Sequence, residues 1–451
     1  MNRVHRFTHP AGATRRALAP VRACGTLDRM TRAVGVRAMA GALGWVAVGS
    51  MVANAAAYVV YVGAGRWLPP ADYGQFARLL SAMLVLGVPA LALQSVIARE
   101  VVRHRGARLR RVTATITLAV AVLAIVVTPV VMAVARTGLT ATAAALGAAP
   151  LLVVIAAGQG VLQGVGEFRA LAWVLAAVGL LRSVPMLVAF AFGAGPALSL
   201  LAGTLGAAAG AILVWAVASV VIRADHVEFA VTDRDDLNTL SVMRASQVQL
   251  VLIVAVSVDL LLSGTALGGS DAGVYALGAV ATKAAFWLPQ AIGVVFYPRL
   301  ADPAHSRTAL RQAVSVVATI GVVVTLGAAA LGQLVPLVVG EAYRPLVGIL
   351  WLFAYTGSAM AVLQVVLLSA IAGDRTRASA LTWVAVGVEA VVILTVVHTV
   401  TTLAATAAIA VTVAAAATGA DCVRTLGRVR SVPAAPSVSS ESAGPVGPPV
   451  T

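Results

Sequence analysis

The sequence has 451 residues, of which 11% are charged and 60% are hydrophobic, and its mean hydropathy is +0.96. Soluble domains carry about 25% charged residues, so this composition excludes a water-soluble protein and predicts an all-α polytopic membrane protein. Only two cysteines occur, Cys24 and Cys422, near opposite ends of the chain. This excludes a disulfide framework and a CxxC metal site.

The apolar region from 39 to 420 predicts about twelve membrane-spanning helices, because each needs about 20 residues. The connections between them are short, which leaves no room for a large soluble catalytic domain. The predicted helices lie near 40–62, 75–98, 112–135, 142–165, 170–192, 198–222, 242–264, 273–297, 312–335, 346–370, 379–397 and 402–420.

The arginines explain the formal net charge of +15. With the N-terminus placed in the cytoplasm, nearly all basic loop residues fall on the cytoplasmic side, and the outer loops hold only Arg66, Arg136 and Arg344. This asymmetry predicts a multi-pass plasma-membrane protein with both termini cytoplasmic. The cytoplasmic arginines contact anionic membrane lipids, and we expect no nucleic-acid partner.

A polar break in the middle of the apolar region predicts two lobes of six helices around a central cavity. Such repeats place the substrate path at their interface. The predicted organisation is a basic cytoplasmic tail at 1–38, an N-terminal lobe at 39–222, an inter-lobe loop at 223–241, a C-terminal lobe at 242–420 and a disordered cytoplasmic tail at 421–451.

Three segments carry a resemblance to a known family. Residues 54–100 contain a Leu-Pro-x-x-x-Tyr-Gly turn between the first two helices, residues 258–302 contain a helix-seven Asp and a closing Phe-Tyr-Pro-Arg, and residues 338–353 contain a Gly-x-x-Tyr entry to helix ten. In this order they resemble the polysaccharide flippases, the Wzx-like branch of the multidrug/oligosaccharidyl-lipid/polysaccharide exporter superfamily.

The resemblance implies a V-shaped pair of six-helix lobes and a function. The protein would flip undecaprenyl-diphosphate-linked oligosaccharide, a precursor of surface polysaccharide, across the plasma membrane by alternating access. A lipid-linked oligosaccharide would be its substrate. A glycan polymerase and glycosyltransferases would be its partners in polysaccharide biosynthesis.

Charged groups within the spans are the candidate functional residues, because they are costly in lipid. Lys283, Trp287 and Gln290 fall at i, i+4 and i+7 of helix eight and share one face. They offer a cation, an aromatic ring and an amide to a diphosphate-linked sugar. Arg182 lies near the midplane of helix five. A lysine or arginine satisfied by a neighbouring carboxylate or carbonyl is the structural alternative.

Helix one adds a further candidate face. Asn54, Tyr58 and Tyr61 share it. We assign Asn54 to substrate binding, and we interpret the two tyrosines as part of an interfacial aromatic belt.

Three more charged groups are candidates for gating or coupling. Arg78 in helix two and Asp259 in helix seven are predicted at similar depth in opposite lobes. An ion pair between them would close the outer mouth, since opposite charges are tolerable together and expensive apart. The alternative leaves Asp259 facing outer water and Arg78 reaching to head groups. Glu389 in helix eleven is either a coupling carboxylate or a structural partner.

Several activities are excluded or held as alternatives. The sequence lacks GxxxxGK[ST], HExxH and GxSxG, so we predict a protein that is not an enzyme and needs neither cofactor nor metal. A multidrug or organic-cation antiporter of the same superfamily is the first alternative. It would need buried carboxylates, and the N-terminal half offers Arg78 and Arg182 instead. A non-transporting membrane scaffold for glycan assembly is the second.

Overall fold

Twelve helical spans account for the part of the chain that the computed structural model describes, which is residues 24–102, 109–224, 249–289, 306–372 and 377–429. We number them in chain order. They are α1 Cys24–Trp67, α2 Pro70–Val102, α3 Leu109–Ala135, α4 Leu139–Val165, α5 Phe168–Ala191, α6 Pro196–Ala224, α7 Gln249–Ala266, α8 Gly269–Trp287, α9 Arg307–Val339, α10 Leu350–Ala372, α11 Arg377–Val396 and α12 Val400–Val429.

The predicted all-α polytopic membrane fold is confirmed. Among the described residues, ten helices are long and apolar enough to cross a membrane, and α8 and α11 complete the predicted set of twelve. α1 begins at Cys24 and α12 continues to Val429, so both extend beyond the predicted tail boundaries at 38 and 421. Arginine is a good helix former, so a helix can continue from the apolar span into its basic flank.

Two long spans are interrupted near their middle. α2 breaks at Gly87 and α4 breaks at Gly147. Each glycine is followed within three residues by a proline, Pro89 or Pro150. Prolines are a usual cause of helix kinks, because they lack the amide hydrogen and crowd the preceding turn.

The predicted boundary between α11 and α12 is confirmed by a local cap. The amide of Thr402 donates to Oγ1 of Thr399 at 3.2 Å, and the amide of Thr399 donates to Oγ1 of Thr402 at 3.1 Å. These bonds satisfy amides that a helix start leaves without partners.

Three buried clusters divide the molecule. One lies within α2 to α6 and another within α7 to α12, at the end of the bundle that carries the turn at Gly166. The third joins both lobes at the opposite end, through residues such as Tyr73, Tyr275 and Tyr343. We call the Gly166 end the inner end, because the charge asymmetry predicts the cytoplasm there, and the opposite end the outer end.

The lobes approach each other most closely at the outer end, between α2 and α8. A Cβ added to Gly74 would lie 3.0 Å from the backbone nitrogen of Gly273, and one added to Gly273 would collide with the carbonyl of Pro70. Beside them, the rings of Tyr73 and Tyr343 meet edge to face at 6.0 Å. The outer end is therefore closed by backbone contact and buried aromatic rings.

Candidate substrate cavity

A cavity of about 470 Å³ opens between the lobes on the inner side of this closure. Most of its wall comes from α1, α2, α4 and α5 of the N-terminal lobe, and α8 of the C-terminal lobe supplies the rest. The polar and aromatic lining side chains are Asn54, Tyr58, Tyr61, Gln94, Gln159, Arg182, Ser183, Lys283 and Trp287.

Lys283 brings a cation from the C-terminal lobe to this wall. Its side chain is buried, and its Nζ donates to Oγ of Ser81 at 2.7 Å. The same Nζ lies 5.9 Å from the centroid of the Tyr61 ring, within the range of a cation–π contact. Ser81 and Tyr61 belong to the N-terminal lobe, so Lys283 bridges the two lobes beside the cavity.

Arg182 provides the second cation of the wall. It is half-buried on α5, and its Nη2 contacts the sulfur of Met83 at 3.8 Å. Its Nε has no hydrogen-bond partner among the described residues. A guanidinium held by a thioether alone keeps most of its donor capacity, so Arg182 can bind an anion without first losing a strong partner.

Aromatic rings complete the surroundings of the cations. Trp287 lines the cavity one turn from Lys283, as the i, i+4 spacing predicts. Gln290, the third member of that predicted face, lies outside the described residues. The belt interpretation of Tyr58 and Tyr61 was wrong, because both line the cavity. Their spacing alone could not tell a helix face that borders a cavity from one at the membrane interface.

An acidic cluster lies in the C-terminal lobe beside Lys283. Asp259 is buried on α7, where it accepts a hydrogen bond from Oη of Tyr275 at 2.5 Å and another from the amide of Leu260 at 2.7 Å. Asp259 is close enough to Lys283 for their opposite charges to attract. It is also close enough to Glu389 on α11 for the two carboxylates to repel. Oε1 of Glu389 is buried without a hydrogen-bond partner among the described residues.

The expected ion pair between Arg78 and Asp259 is not formed in this structure. Arg78 is buried, and its Nε donates to the carbonyl of Ala135 at 2.9 Å. It packs against Gly264, where an added Cβ would lie 2.9 Å from that Nε. Gly264 is five residues beyond Asp259 on α7, about 7 Å along the axis. The alternative, with each group facing water or head groups, is also wrong, because both side chains are buried.

Sequence reasoning missed four residues of this region: Ser81, Gln94, Gln159 and Tyr275. The two glutamines had a detectable signal, since an amide in the middle of an apolar helix faces a cavity or a partner more often than lipid. Ser81 had none, because a serine can satisfy itself locally on a helix, and Tyr275 had none, because a tyrosine near the end of a span is also expected in an interfacial aromatic belt.

Among the described residues, no group of three or more His, Cys, Asp or Glu side chains could hold a metal ion.

No protein-family model and no curated protein matches the sequence. Solved structures do match. An inward-facing multidrug resistance MATE family transporter of the MOP superfamily has a TM-score of 0.65 at 14% identity, over 87% of this chain and 100% of its own. The lipid II flippase MurJ in an inward closed conformation has a TM-score of 0.66 at 9% identity, over 85% of this chain and 89% of its own.

The chain has the fold of these transporters. A MATE transporter in the outward-facing conformation matches less well, with a TM-score of 0.58 at 15% identity over 87% of this chain and 96% of its own. The transporter fold therefore occurs here in an arrangement more similar to the inward-facing MATE structure. This agrees with a lobe interface that is closed by Gly74, Gly273 and Tyr343 at one end and hollow at the other.

Proposed function

We propose that the protein is a transporter of the MOP superfamily that flips polyprenyl-diphosphate-linked oligosaccharide across the membrane by alternating access. The observation that carries this proposal is the charge of the cavity. Its lining includes Arg182 and Lys283 and no carboxylate among the described residues. A cation in a site of low dielectric attracts a diphosphate far more strongly than one in water.

A multidrug antiporter that exports organic cations is the second candidate. It is favoured by the buried carboxylates of Asp259 and Glu389 and by the fold shared with MATE transporters. Neither carboxylate lines the cavity, whereas Lys283 does. An organic cation entering here would meet two positive charges first, so we prefer the anionic substrate.

The acidic cluster is proposed as the coupling site. It combines two carboxylates with one cation, Lys283, so burying all three in the ionised state leaves one negative charge without compensation. Uncompensated charges are costly inside a protein. A proton or another small cation from the medium would remove this cost, and its binding at Asp259 and Glu389 would bias the position of α7 against α8. In this proposal Arg78 supports the outer closure.

The test of the proposed function is genetic. We expect deletion of the gene to cause undecaprenyl-linked intermediates to accumulate on the cytoplasmic face, and the wild-type gene to restore export. An unchanged intermediate pool in the deletion strain, together with increased sensitivity to organic cations, would favour the multidrug antiporter. An unchanged pool without such sensitivity would contradict both transport functions.

The orientation of the chain is a separate prediction. Topology reporters fused after residues 105, 230 and 376 should read cytoplasmic, and those fused after 69, 268 and 342 should read external, because basic loops are retained inside. Fluorescence and phosphatase activity of paired fusions measure this. A reversed reading at two or more positions would place the cavity opening on the opposite face.

A further inference from the structure

The cavity wall has a second chemical zone that contains amide groups instead of cations. Asn54 on α1, Gln94 on α2 and Gln159 on α4 all line it, and Tyr58 lines it one turn from Asn54 on α1. Gln159 is 7% exposed, on a helix whose other cavity-lining side chains are aliphatic. A buried amide at such a position has to be satisfied by a partner. Gln94 has a partner in Gln163, and Gln159 faces the cavity.

Backbone packing places two of these amides, Gln94 and Gln159, on neighbouring helices in close contact. Gly160 and Gly164 bring α4 against α2, where a Cβ added to Gly160 would lie 2.6 Å from the carbonyl of Gln94 and one added to Gly164 would lie 2.8 Å from the carbonyl of Ala98. The two glycines, four residues apart in a GxxxG pattern, therefore serve close helix packing. At the same level, Nε2 of Gln94 donates to Oε1 of Gln163 at 3.4 Å.

Gln159 and the cation Arg182 lie at different depths. Gln159 is six residues from the inner end of α4 at Val165, and Arg182 is fourteen residues from the inner end of α5 at Phe168. At about 1.5 Å per residue, the amide is about 12 Å nearer the inner end than the guanidinium. The cavity therefore has a cationic part at the midplane and a neutral polar part towards its inner mouth.

We propose that the amide zone formed by Asn54, Gln94 and Gln159 is a glycosyl subsite that reads the hydroxyl groups of a sugar attached to the diphosphate. An amide both donates and accepts hydrogen bonds, which matches neighbouring hydroxyls, and the ring of Tyr58 offers a surface for the apolar face of a pyranose. This subsite rests on the proposed function and adds selectivity for the glycan to it.

The experiment compares two probes on the purified full-length protein in nanodiscs: farnesyl diphosphate, and farnesyl diphosphate carrying one N-acetylglucosamine. Quenching of tryptophan fluorescence, to which Trp287 in the cavity contributes, measures binding. We expect the sugar to increase the affinity about tenfold, as a few additional hydrogen bonds would. In Gln159→Leu and Asn54→Leu the affinity for the glycosylated probe should fall to that for farnesyl diphosphate.

The matched control is Gln312→Leu, the same substitution at an exposed position of α9 outside the cavity, and it should retain the full difference between the probes. Binding of farnesyl diphosphate by each variant verifies its folding. A sugar effect that persists in Gln159→Leu and Asn54→Leu would overturn the glycosyl subsite alone. Failure of the wild-type protein to bind either probe would overturn the proposed function with it.

Discussion

The two ends of the lobe interface are built from different chemistry. At the outer end, Gly74 and Gly273 bring two backbones into contact, and buried rings of Tyr73 and Tyr343 fill the space beside them. At the inner end the lobes separate around a cavity with two cations and several amides. The difference indicates that the packing of backbones and rings closes the outer end. The lobes can therefore open and close there without separating charges.

The largest effect is expected at Lys283, whose Nζ donates to Ser81 across the interface. Lys283→Ala should abolish glycan export, because it removes both the proposed diphosphate cation and the positive charge that attracts Asp259. Lys283→Arg should retain part of the activity, since the charge remains but its geometry changes. Export of lipid-linked glycan, at matched membrane levels of the protein, measures this. Normal export by Lys283→Ala would remove Lys283 from the substrate site.

The outer closure should respond to one methyl group. Gly273→Ala places a Cβ against the carbonyl of Pro70 and should destabilise the closed outer end by about 1–3 kcal/mol, as overpacking does. Labelling of Ala77→Cys, a fully buried position, by a membrane-impermeant thiol reagent should then increase.

Gly269→Ala is the matched control, one turn earlier on α8. Its Cβ would meet Ala71 at an ordinary 3.6 Å, so labelling should not change. Equal labelling of Ala77→Cys in both backgrounds would contradict closure by backbone contact.

Two arginines, Arg78 and Arg182, distinguish the outer closure from the cavity. Arg78→Met should lower stability by about 1–3 kcal/mol, because the carbonyl of Ala135 loses its charged donor, and it should leave the affinity for farnesyl diphosphate unchanged. Arg182→Met should weaken that affinity about tenfold or more without lowering the melting temperature. Thermal unfolding and probe binding on the same samples measure both. Interchanged effects would reverse the assignment of the two arginines.

The smallest effect is expected from an ion pair at the outer surface. Nη1 of Arg344 lies 3.1 Å from Oε2 of Glu341, but the two side chains are 76% and 74% exposed. Exposed pairs contribute about 0–1 kcal/mol. Glu341→Gln should therefore leave export and thermal stability close to wild type. A loss similar to that of Gly273→Ala would show that charge also closes this end.

The sequence was sufficient for the helices and for much of the cavity. Apolar segments of membrane length predict all twelve spans, and rare charges within them identified Arg182 and Lys283, which both line the cavity. Both signals are local, because the cost of a polar group in lipid depends on the residue and its depth. The i, i+4 relation of Lys283 and Trp287 follows from helix geometry alone.

The contacts between helices were beyond this reasoning. Arg78 and Asp259 have compatible depths, but the rotation of each helix decides which neighbour its side chain meets. Arg78 donates to the carbonyl of Ala135, and Asp259 accepts from Tyr275. The orientation of Tyr58 towards the cavity likewise depends on the rotation of α1. Helix rotation is set by packing across the whole lobe, which no single segment encodes.

The lysine in the cavity is the only lysine of the sequence. Apart from the terminal α-amine, the chain therefore has one primary amine, and its side chain is only 6% exposed. Acylating reagents that modify many surface lysines in other proteins have a single side-chain lysine target here, in the cavity wall. The extent of acylation at Lys283, read by mass spectrometry, then reports directly on cavity occupancy in intact membranes.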